Sequence, residues 1–410
     1  MLAALGDPQS EWASVHVAGT NGKGSVCAIL ERVLRESGVR TGLFTSPHLV
    51  DFRERIRVDG QWADEKRLTR RLELVNRLPE GRDRTFFEVC TALAFDDFAA
   101  REAEWSIVEV GLGGRLDATN VIEPALAVVT AVGIDHADLL GDTVERVAVE
   151  KAGIVKPDVP VVSGLEPGPA ADVIARAAEE RGAPLVLAAG RARLEWRGQE
   201  AAGMRFAGRV PPWGQLDLTC PLRGRHQLAN ARTALAALSE LTEVGVEIES
   251  EAVVEGFASV RWPGRLEPCP GEPALWWDGA HNPDGFAALR RAWSEDLGFP
   301  PPSSLVLALS RDKDVEAIAR ALEGWVAPGR VVTTQSRDAR AMPSDELGVR
   351  LAAAGQPSRH APGVVEALEA ELAVTAKEGA ASGARVLLCG SLFAVADAME
   401  AFGGAPGEWL

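Results

Sequence analysis

Short runs of β-branched and apolar residues alternate with segments of helical periodicity along most of the chain. Ser14–Ala18 reads as a strand, Ser25–Ser37 as a helix stopped by Gly38, and Val39–Phe44 as the next strand. Phe86–Glu104 carries an apolar face at helical spacing; strands at Trp105–Val110 and Leu126–Val132 follow, then a helix at Val144–Ala152 and a strand at Val159–Ser163. Uninterrupted apolar strands between amphipathic helices predict a parallel sheet covered on both faces. The pattern changes over Arg191–Cys220, which predicts antiparallel hairpins, and helical spacing returns in Gln227–Leu241 and Glu251–Ala258. Trp262-Pro263-Gly264 marks a hinge, because Pro and Gly both interrupt regular structure. Beyond it the alternation restarts: strand Ala274–Trp277, helix Asp284–Trp293, strand Leu305–Leu309, helix Val315–Leu322, strand Val331–Thr334, and strand Arg385–Cys389 into a last helix. The expected fold is α/β. A parallel-sheet domain with a small antiparallel section spans residues 1–262, and a smaller α/β domain spans 263–410.

Composition narrows the function classes. Fifty-nine acids against 43 bases leave a formal charge of −16, which argues against sequence-independent nucleic-acid binding. Anions can still bind where local bases and backbone N–H groups are aimed at them. Cys27, Cys90, Cys220, Cys269 and Cys389 are far apart and form no CxxC pair, so neither a disulfide framework nor a structural zinc site is expected. The first residues lack the basic start and apolar stretch of a signal peptide, and no uncharged apolar run approaches the ~18 residues of a membrane span. A soluble, cytoplasmic protein is the expectation.

The chemistry gathers at strand ends. Gly19-Thr20-Asn21-Gly22-Lys23-Gly24-Ser25 lies between a strand and a helix. Its glycines let backbone N–H groups turn toward one anion, Lys23 adds a point charge, and the helix adds the positive end of its dipole. The segment departs from GxxxxGK[ST]: Val17 stands at the first Gly and Gly24 at the Ser/Thr. Phosphate binding is expected; the bland alternative is a glycine-rich turn with an exposed lysine. Thr45-Ser46-Pro47-His48, Glu109 to Arg115, and Asp135-His136 each follow a strand, and in an open parallel sheet ligands bind beyond the carboxyl ends of the strands. Glu109 is either a surface-paired carboxylate or, with a nearby hydroxyl, a ligand of Mg²⁺. His136 is either a core histidine or part of that site. Lys151, taken by itself, is a solvated lysine near a helix C-terminus. In the second domain Asp278 and His281 precede Pro283, which suits a first helical position. Arg265 beside the hinge is either an interdomain ion pair or a nucleotide contact.

These residues resemble the folylpolyglutamate synthase and dihydrofolate synthase family of the Mur ligase superfamily. The likeness rests on VHVAGTNGKGSV (15–26), LFTSPHLVDFRERIRVDG (43–60), TFFEVCTALAF (85–95), EVGLGGRLDATNVI (109–122) and GIDHADLLG (133–141). It continues through EKAGIVK (150–156), GRHQLANARTAL (224–235), PGRLE (263–267), DGAHNPDG (278–285) and LSRDKD (309–314). The resemblance implies that MgATP phosphorylates a carboxylate of dihydropteroate or a reduced folate, and that the amine of L-glutamate then displaces phosphate. Catalysis would come from positioning and charge neutralisation, which agrees with the absence of a Ser/His/Asp or Cys/His pattern.

By that similarity, Gly19, Thr20, Asn21, Gly22, Lys23, Gly24 and Ser25 hold the phosphates. Ser46, Glu109 and His136 hold Mg²⁺, with two ions expected, and Lys151 is carbamylated. Asn230, Arg265 and Asp278 contact ATP, and His281 takes part on the phosphate side. The pterin lies near Phe86, Phe87, Glu88, Leu116, Asp117 and Ala118. A monomer with no nucleic-acid or membrane partner is implied. Thirteen residues precede the strand at Ser14, where the family carries a helical segment that contributes to the dihydropteroate site. That short lead also leaves no room for the UDP-sugar domain of the cell-wall ligases. A nucleotide-binding regulator that has lost its acceptor site is the remaining alternative.

Overall fold

Apolar strands buried on both faces form the centre of each half of the computed structural model, which describes residues 1–78, 83–327, 329–378 and 383–407. The chain divides into two compact units: Met1–Pro221 with Gln227–Trp262, and Leu222–His226 with Pro263–Pro406.

In the first unit eight strands form one sheet: β1 (Ala13–Ala18), β2 (Thr41–Phe44), β3 (Ile56–Val58), β4 (Gln61–Trp62), β5 (Trp105–Glu109), β6 (Leu126–Val129), β7 (Val161–Ser163) and β8 (Leu185–Leu187). Their order is β4-β3-β2-β5-β1-β6-β7-β8. All neighbours from β2 to β8 pair in parallel, while β3 and β4 add an antiparallel edge. β1 sits between β5 and β6, with Val15 opposite both Ile107 and Leu126. Central position explains why five of its six residues are buried. The strands run shorter than their apolar patterns. After Val129 the chain stays tied to β1 through the Thr130 N–H on the Ala18 carbonyl, and Val39 is spent on the turn that ends the preceding helix, its N–H bonding to Leu34.

The helix expected from Ser25 begins two residues earlier, as Lys23–Glu36. That shift brings the loop lysine into the first helical turn. Helix Phe86–Ala100 stops before the expected Glu104, and helix Val144–Ala152 has its expected bounds. Helix Glu65–Arg77, absent from the sequence reading, buries only Leu68 and Val75. Ion pairs fasten it to the next helix: Arg67 to Asp96 and Asp97, and Arg71 to Asp96. Its apolar stripe is narrow, Leu68, Leu72 and Val75, and the ion pairs add to the core contacts of Leu68 and Val75. The hairpin region forms a separate antiparallel sheet of β9 (Arg193–Glu200), β10 (Gly203–Val210) and β11 (Gly214–Cys220), in the order β11-β10-β9. Phe206 of β10 packs edge-on against Phe257 of helix Ser250–Ser259, with centroids 5.7 Å apart.

The second unit has a six-stranded sheet of β12 (Glu267–Cys269), β13 (Glu272–Trp277), β14 (Ser304–Leu307), β15 (Val331–Thr333), β16 (Ser358–His360) and β17 (Val386–Cys389), ordered β12-β13-β17-β14-β15-β16. Only the edge strand β12 is antiparallel. One core of Leu305, Leu307, Leu387, Trp293 and their neighbours lies against it. The helix expected to reach Trp293 ends at Arg291 and runs on as a π-helical turn, Ala292–Asp296. Among the described residues no helix is long and apolar enough to cross a membrane.

Candidate active site

β1 ends at Ala18, and the glycine-rich loop turns directly into helix Lys23–Glu36. Neighbouring side chains hold the loop open. Thr130 Oγ1 donates to the Asn21 carbonyl at 2.8 Å, and Thr20 Oγ1 donates to the Gly133 carbonyl at 2.9 Å. Gly22 takes a left-handed φ of 86° at the helix start, and a methyl group there would strike the Asn230 side-chain amide. A methyl at Gly24 would lie 2.6 Å from the Trp262 ring. Glycine is therefore required at 22 for both conformation and space, and at 24 for space. Lys23 Nζ donates to the carbonyls of Gly19 and Thr20, and Lys151 Nζ donates to the same Gly19 carbonyl at 2.9 Å. The first-turn amides, the helix dipole and Lys23 together make an anion site.

Glu109 closes β5, and its carboxylate is buried. One oxygen accepts the Ser46 N–H at 3.1 Å, and the other lies 3.9 Å from Lys23 Nζ. Ser46, Lys23 and Glu109 are thus brought together from three strand ends. His136 follows β6 in a left-handed conformation with φ 51°, its N–H bonded to Asp135 Oδ1. The Gly133 N–H donates to Thr20 Oγ1, tying that segment to the glycine-rich loop. Lys151 is not the solvated lysine its sequence suggests. It is buried in the last turn of its helix, and burial together with the charge of Lys23 pushes its amine down from the usual 10.5 to about 7, against the opposing pull of Asp135 and Asp117. At neutral pH much of it is an uncharged, nucleophilic amine.

Phe86, Phe87 and Glu88 open helix Phe86–Ala100. Their three side chains go different ways. Phe87 packs on Gly111 and lies 5.7 Å from the Phe44 ring. Phe86 is 64% exposed, with the Arg55 guanidinium 5.5 Å over its ring and Phe52 6.0 Å away. Glu88 closes a capping box: its Oε2 accepts the Thr85 N–H at 2.9 Å, while its own N–H donates to Thr85 Oγ1. Phe87 therefore joins the two predicted substrate segments, since Gly111 begins the loop that carries Leu116, Asp117 and Ala118. Leu116 is 79% exposed. Asp117 caps the short turn Ala118–Val121 and accepts the Leu112 N–H at 2.9 Å.

In the second unit Asp278, Arg265 and His281 form a cluster of their own. The buried Asp278 carboxyl accepts N–H groups from Leu266 and Ala280 at 2.8 and 2.7 Å. Burial pushes it above the usual carboxylate range against the pull of Arg265. A methyl at Gly279 would strike the Arg265 guanidinium, and the His281 ring meets the Gly279 carbonyl at 2.8 Å. Asn282, Oδ1 on the Gly285 N–H, caps the helix that starts at Pro283.

Residues 17–238 match the Mur ligase middle domain, and residues 264–392 match the Mur ligase glutamate ligase domain. A Bacillus subtilis protein named dihydrofolate synthase/folylpolyglutamate synthase is 35% identical over 331 residues, covering 79% of this chain and 77% of the relative. The chain belongs to the folylpolyglutamate and dihydrofolate synthase family of Mur ligases. The Mycobacterium tuberculosis folylpolyglutamate synthase complexed with ADP superposes with a TM-score of 0.90 at 31% identity, covering 99% of this chain and 94% of that one. E. coli FolC in complex with DHPP and ADP gives 0.82 at 30% identity, with 98% and 92% covered. As a member of this family the protein is an amide-forming ligase that uses ATP and small-molecule substrates, and the regulator alternative falls away.

Several partners at this ligase's site were not singled out from sequence. Arg55 and Phe52 lie against Phe86. His48, from the strand-end segment Thr45-Ser46-Pro47-His48, accepts from Arg55 Nε at Nδ1, 2.8 Å away, and lies 6.0 Å from the Phe52 ring. Burial, with Arg55 second, pushes His48 down to about 4, so its ring is neutral. Thr130 and Trp262 shape the glycine-rich loop from distant segments. Arg55 and Phe52 lie within one of the family-like stretches, so a signal was present. Thr130 carries no local pattern, and Trp262 is marked in the sequence only as part of the hinge.

Proposed function

We propose that this ligase couples L-glutamate to the carboxylate of dihydropteroate, of a reduced folate, or of both. What carries the reading is the meeting of Lys23, the glycine-rich loop and buried Glu109 at one group of strand ends, together with family membership. Residues 1–262 act as the ATP-binding domain and 263–410 as the glutamate-ligase domain.

Transfer of the γ-phosphoryl group to the acceptor carboxylate gives an acyl phosphate and ADP. The glutamate amine attacks that carbonyl carbon, loses a proton, and the tetrahedral adduct expels phosphate to leave the amide. Charge neutralisation and alignment dominate such chemistry. Gly19 to Ser25 cradle the phosphates, with Lys23 on the β/γ oxygens once it leaves the loop carbonyls. Asn230, packed on Gly22, contributes to the nucleotide site, as do Arg265 and Asp278, and His281 serves on the phosphate side. The donor set suits Mg²⁺: a buried carboxylate and a hydroxyl-bearing residue in contact leave positions for phosphate and water. Among the described residues no three His, Cys, Asp or Glu cluster as a preformed cage, consistent with a metal held partly by substrate. Ser46, Glu109 and His136 would hold two Mg²⁺ ions, which neutralise phosphate charge when bound. Lys151, its amine pushed down to about 7, adds to CO₂ and releases a proton, becoming a carbamate anion beside Lys23. Phe86, Phe87, Leu116, Asp117 and Ala118 receive the acceptor; Glu88 supports them as a cap. The enzyme works as a cytoplasmic monomer.

The test is phosphate release from MgATP with L-glutamate and either dihydropteroate or a reduced folate, each component omitted in turn. Release should require all components and stop on chelation of the metal. Turnover that ignores glutamate would overturn the ligase assignment for these substrates, and the acceptor that works decides between one activity and two.

A further inference from the structure

His16 lies in the middle of β1, fully buried and opposite Val108 and Ala127 on the two neighbouring strands. An aliphatic residue would suit that position, as Val15 and Val17 do on either side. Burial, with the charge of Lys156 second, pushes the imidazole down to about 3, so the ring is neutral at any physiological pH. Its Nδ1 is buried without a hydrogen-bond partner. A buried unsatisfied acceptor is costly, so an account is needed of what the other nitrogen gains.

Nε2 meets Thr119 Oγ1 at 2.9 Å. The Thr119 hydroxyl is 2.5 Å from Asp117 Oδ1, which also accepts the Thr119 N–H at 3.0 Å. An ionised carboxylate only accepts, so the hydroxyl proton must go to Asp117. The hydroxyl oxygen is then an acceptor toward His16, whose proton sits on Nε2. The direction of the chain is fixed from end to end: ring N–H to hydroxyl, hydroxyl to carboxylate. The far oxygen of Asp117 takes the Leu112 N–H at 2.9 Å and closes the loop on itself.

We propose that His16 is a positioning residue for the acceptor substrate, acting through Thr119 to fix the Asp117 carboxylate and with it the loop that carries Leu116 and Ala118. The inference rests on the proposed function in one respect, that this loop receives the acceptor. No hydrogen bond of the relay goes to the glycine-rich loop, and the Asp117 charge that bears on Lys151 is kept in every variant, so loss of the relay acts on the acceptor and not on ATP. Asparagine at 120 holds the far side of the same loop separately, with its Nδ2 on the carbonyls of Arg115 and Gly153. Removing the relay therefore loosens the carboxylate and leaves the loop attached.

The experiment compares His16→Leu, Thr119→Val and the double variant with the conservative His16→Gln and Thr119→Ser. KM for the acceptor, KM for ATP and kcat are measured in each. Thr119→Val loses a bond to the Asp117 carboxylate and His16→Leu loses the N–H that orients the hydroxyl making it, so each should raise the acceptor KM, by roughly tenfold in Thr119→Val. The ATP KM and kcat should stay within about twofold, and the double variant should be no worse than either single one, since both break one relay. Gln and Ser, which keep a donor and a hydroxyl, should restore the wild-type KM. If His16→Leu does not fold, the Thr119→Val and Thr119→Ser pair decides alone. ¹⁵N NMR of the wild-type His16 ring should show a proton on Nε2 and none on Nδ1, unchanged between about pH 5 and 8. A proton on Nδ1, additive losses, or equal rises in both KM values would overturn the proposal. Wild-type turnover with an indifferent Thr119→Val sinks the positioning role alone. A wild-type enzyme that accepts no pteroate or folate sinks the substrate assignment and the relay's role with it.

Discussion

Lys151 shows how far a side chain's chemistry can depart from its sequence context. Burial holds its amine near 7 against an ordinary 10.5, so between those values the unfolded chain binds the extra proton. For the unmodified enzyme, stability therefore rises with pH from about 7 toward 10.5, and the burial penalty is complete below 7. The same shift governs modification, because CO₂ reacts with the neutral amine. Enzyme stripped of CO₂ should regain activity on adding CO₂, and at a fixed concentration of dissolved CO₂ recovery should be faster as the pH rises through about 7. Lys151→Ala should lose roughly 100-fold in rate and recover part of it with added acetate; full activity without acetate would rule out the carbamate. Residue-level chemistry was legible in the sequence where it is local. Gly19 to Ser25, the proposed phosphate loop, fall within one window, so their spacing could be read there. Lys151 is buried with its Nζ on the Gly19 carbonyl, a contact between distant segments that no window of sequence contains. Glu88 is the reverse case: Thr85 and Glu88 stand at capping-box spacing, and the cap accounts for the carboxylate more directly than a ligand does.

At the level of elements, helix Phe86–Ala100 connects stability to the proposed acceptor site. Its capping box fixes the turn from which Phe86 and Phe87 project, and Phe87 must reach Gly111. Thr85→Ala should cost about 1 kcal/mol in a denaturant melt and raise the acceptor KM without changing that for ATP. Equal KM values would show that the rings are held by packing alone. The central strands of the two parallel sheets were legible because burial on both faces makes them continuously apolar; β3, β4, β8, β12 and β16, two or three residues each toward the sheet edges, were not. Helix Glu65–Arg77 was less legible: its apolar stripe is only Leu68, Leu72 and Val75 among charged residues, and Arg67 and Arg71 add ion pairs to Asp96 and Asp97. Periodicity reports apolar faces and is silent about ionic ones.

For the whole molecule, a charge of −16 sets the approach of substrates that are all anions. Repulsion over the general surface is screened by salt, whereas contacts inside the loop are largely protected from it. Raising ionic strength from low to physiological values should therefore increase kcat/KM for the acceptor; a steep fall would mean that a basic surface steers it in. The five cysteines, each buried and none in a disulfide, have a use unrelated to catalysis. Cys27, Cys90 and Cys220 belong to the first unit, Cys269 and Cys389 to the second. None should react quickly with a thiol reagent in the folded enzyme. As denaturant is added, alkylation should appear in two groups, three sites and two, because separate cores need not open together. An ATP analogue should delay the first group, Cys27 most of all, since that thiol lies on the helix that follows the phosphate loop. The chain carries a built-in clock for each of its halves, readable by mass spectrometry with no label introduced.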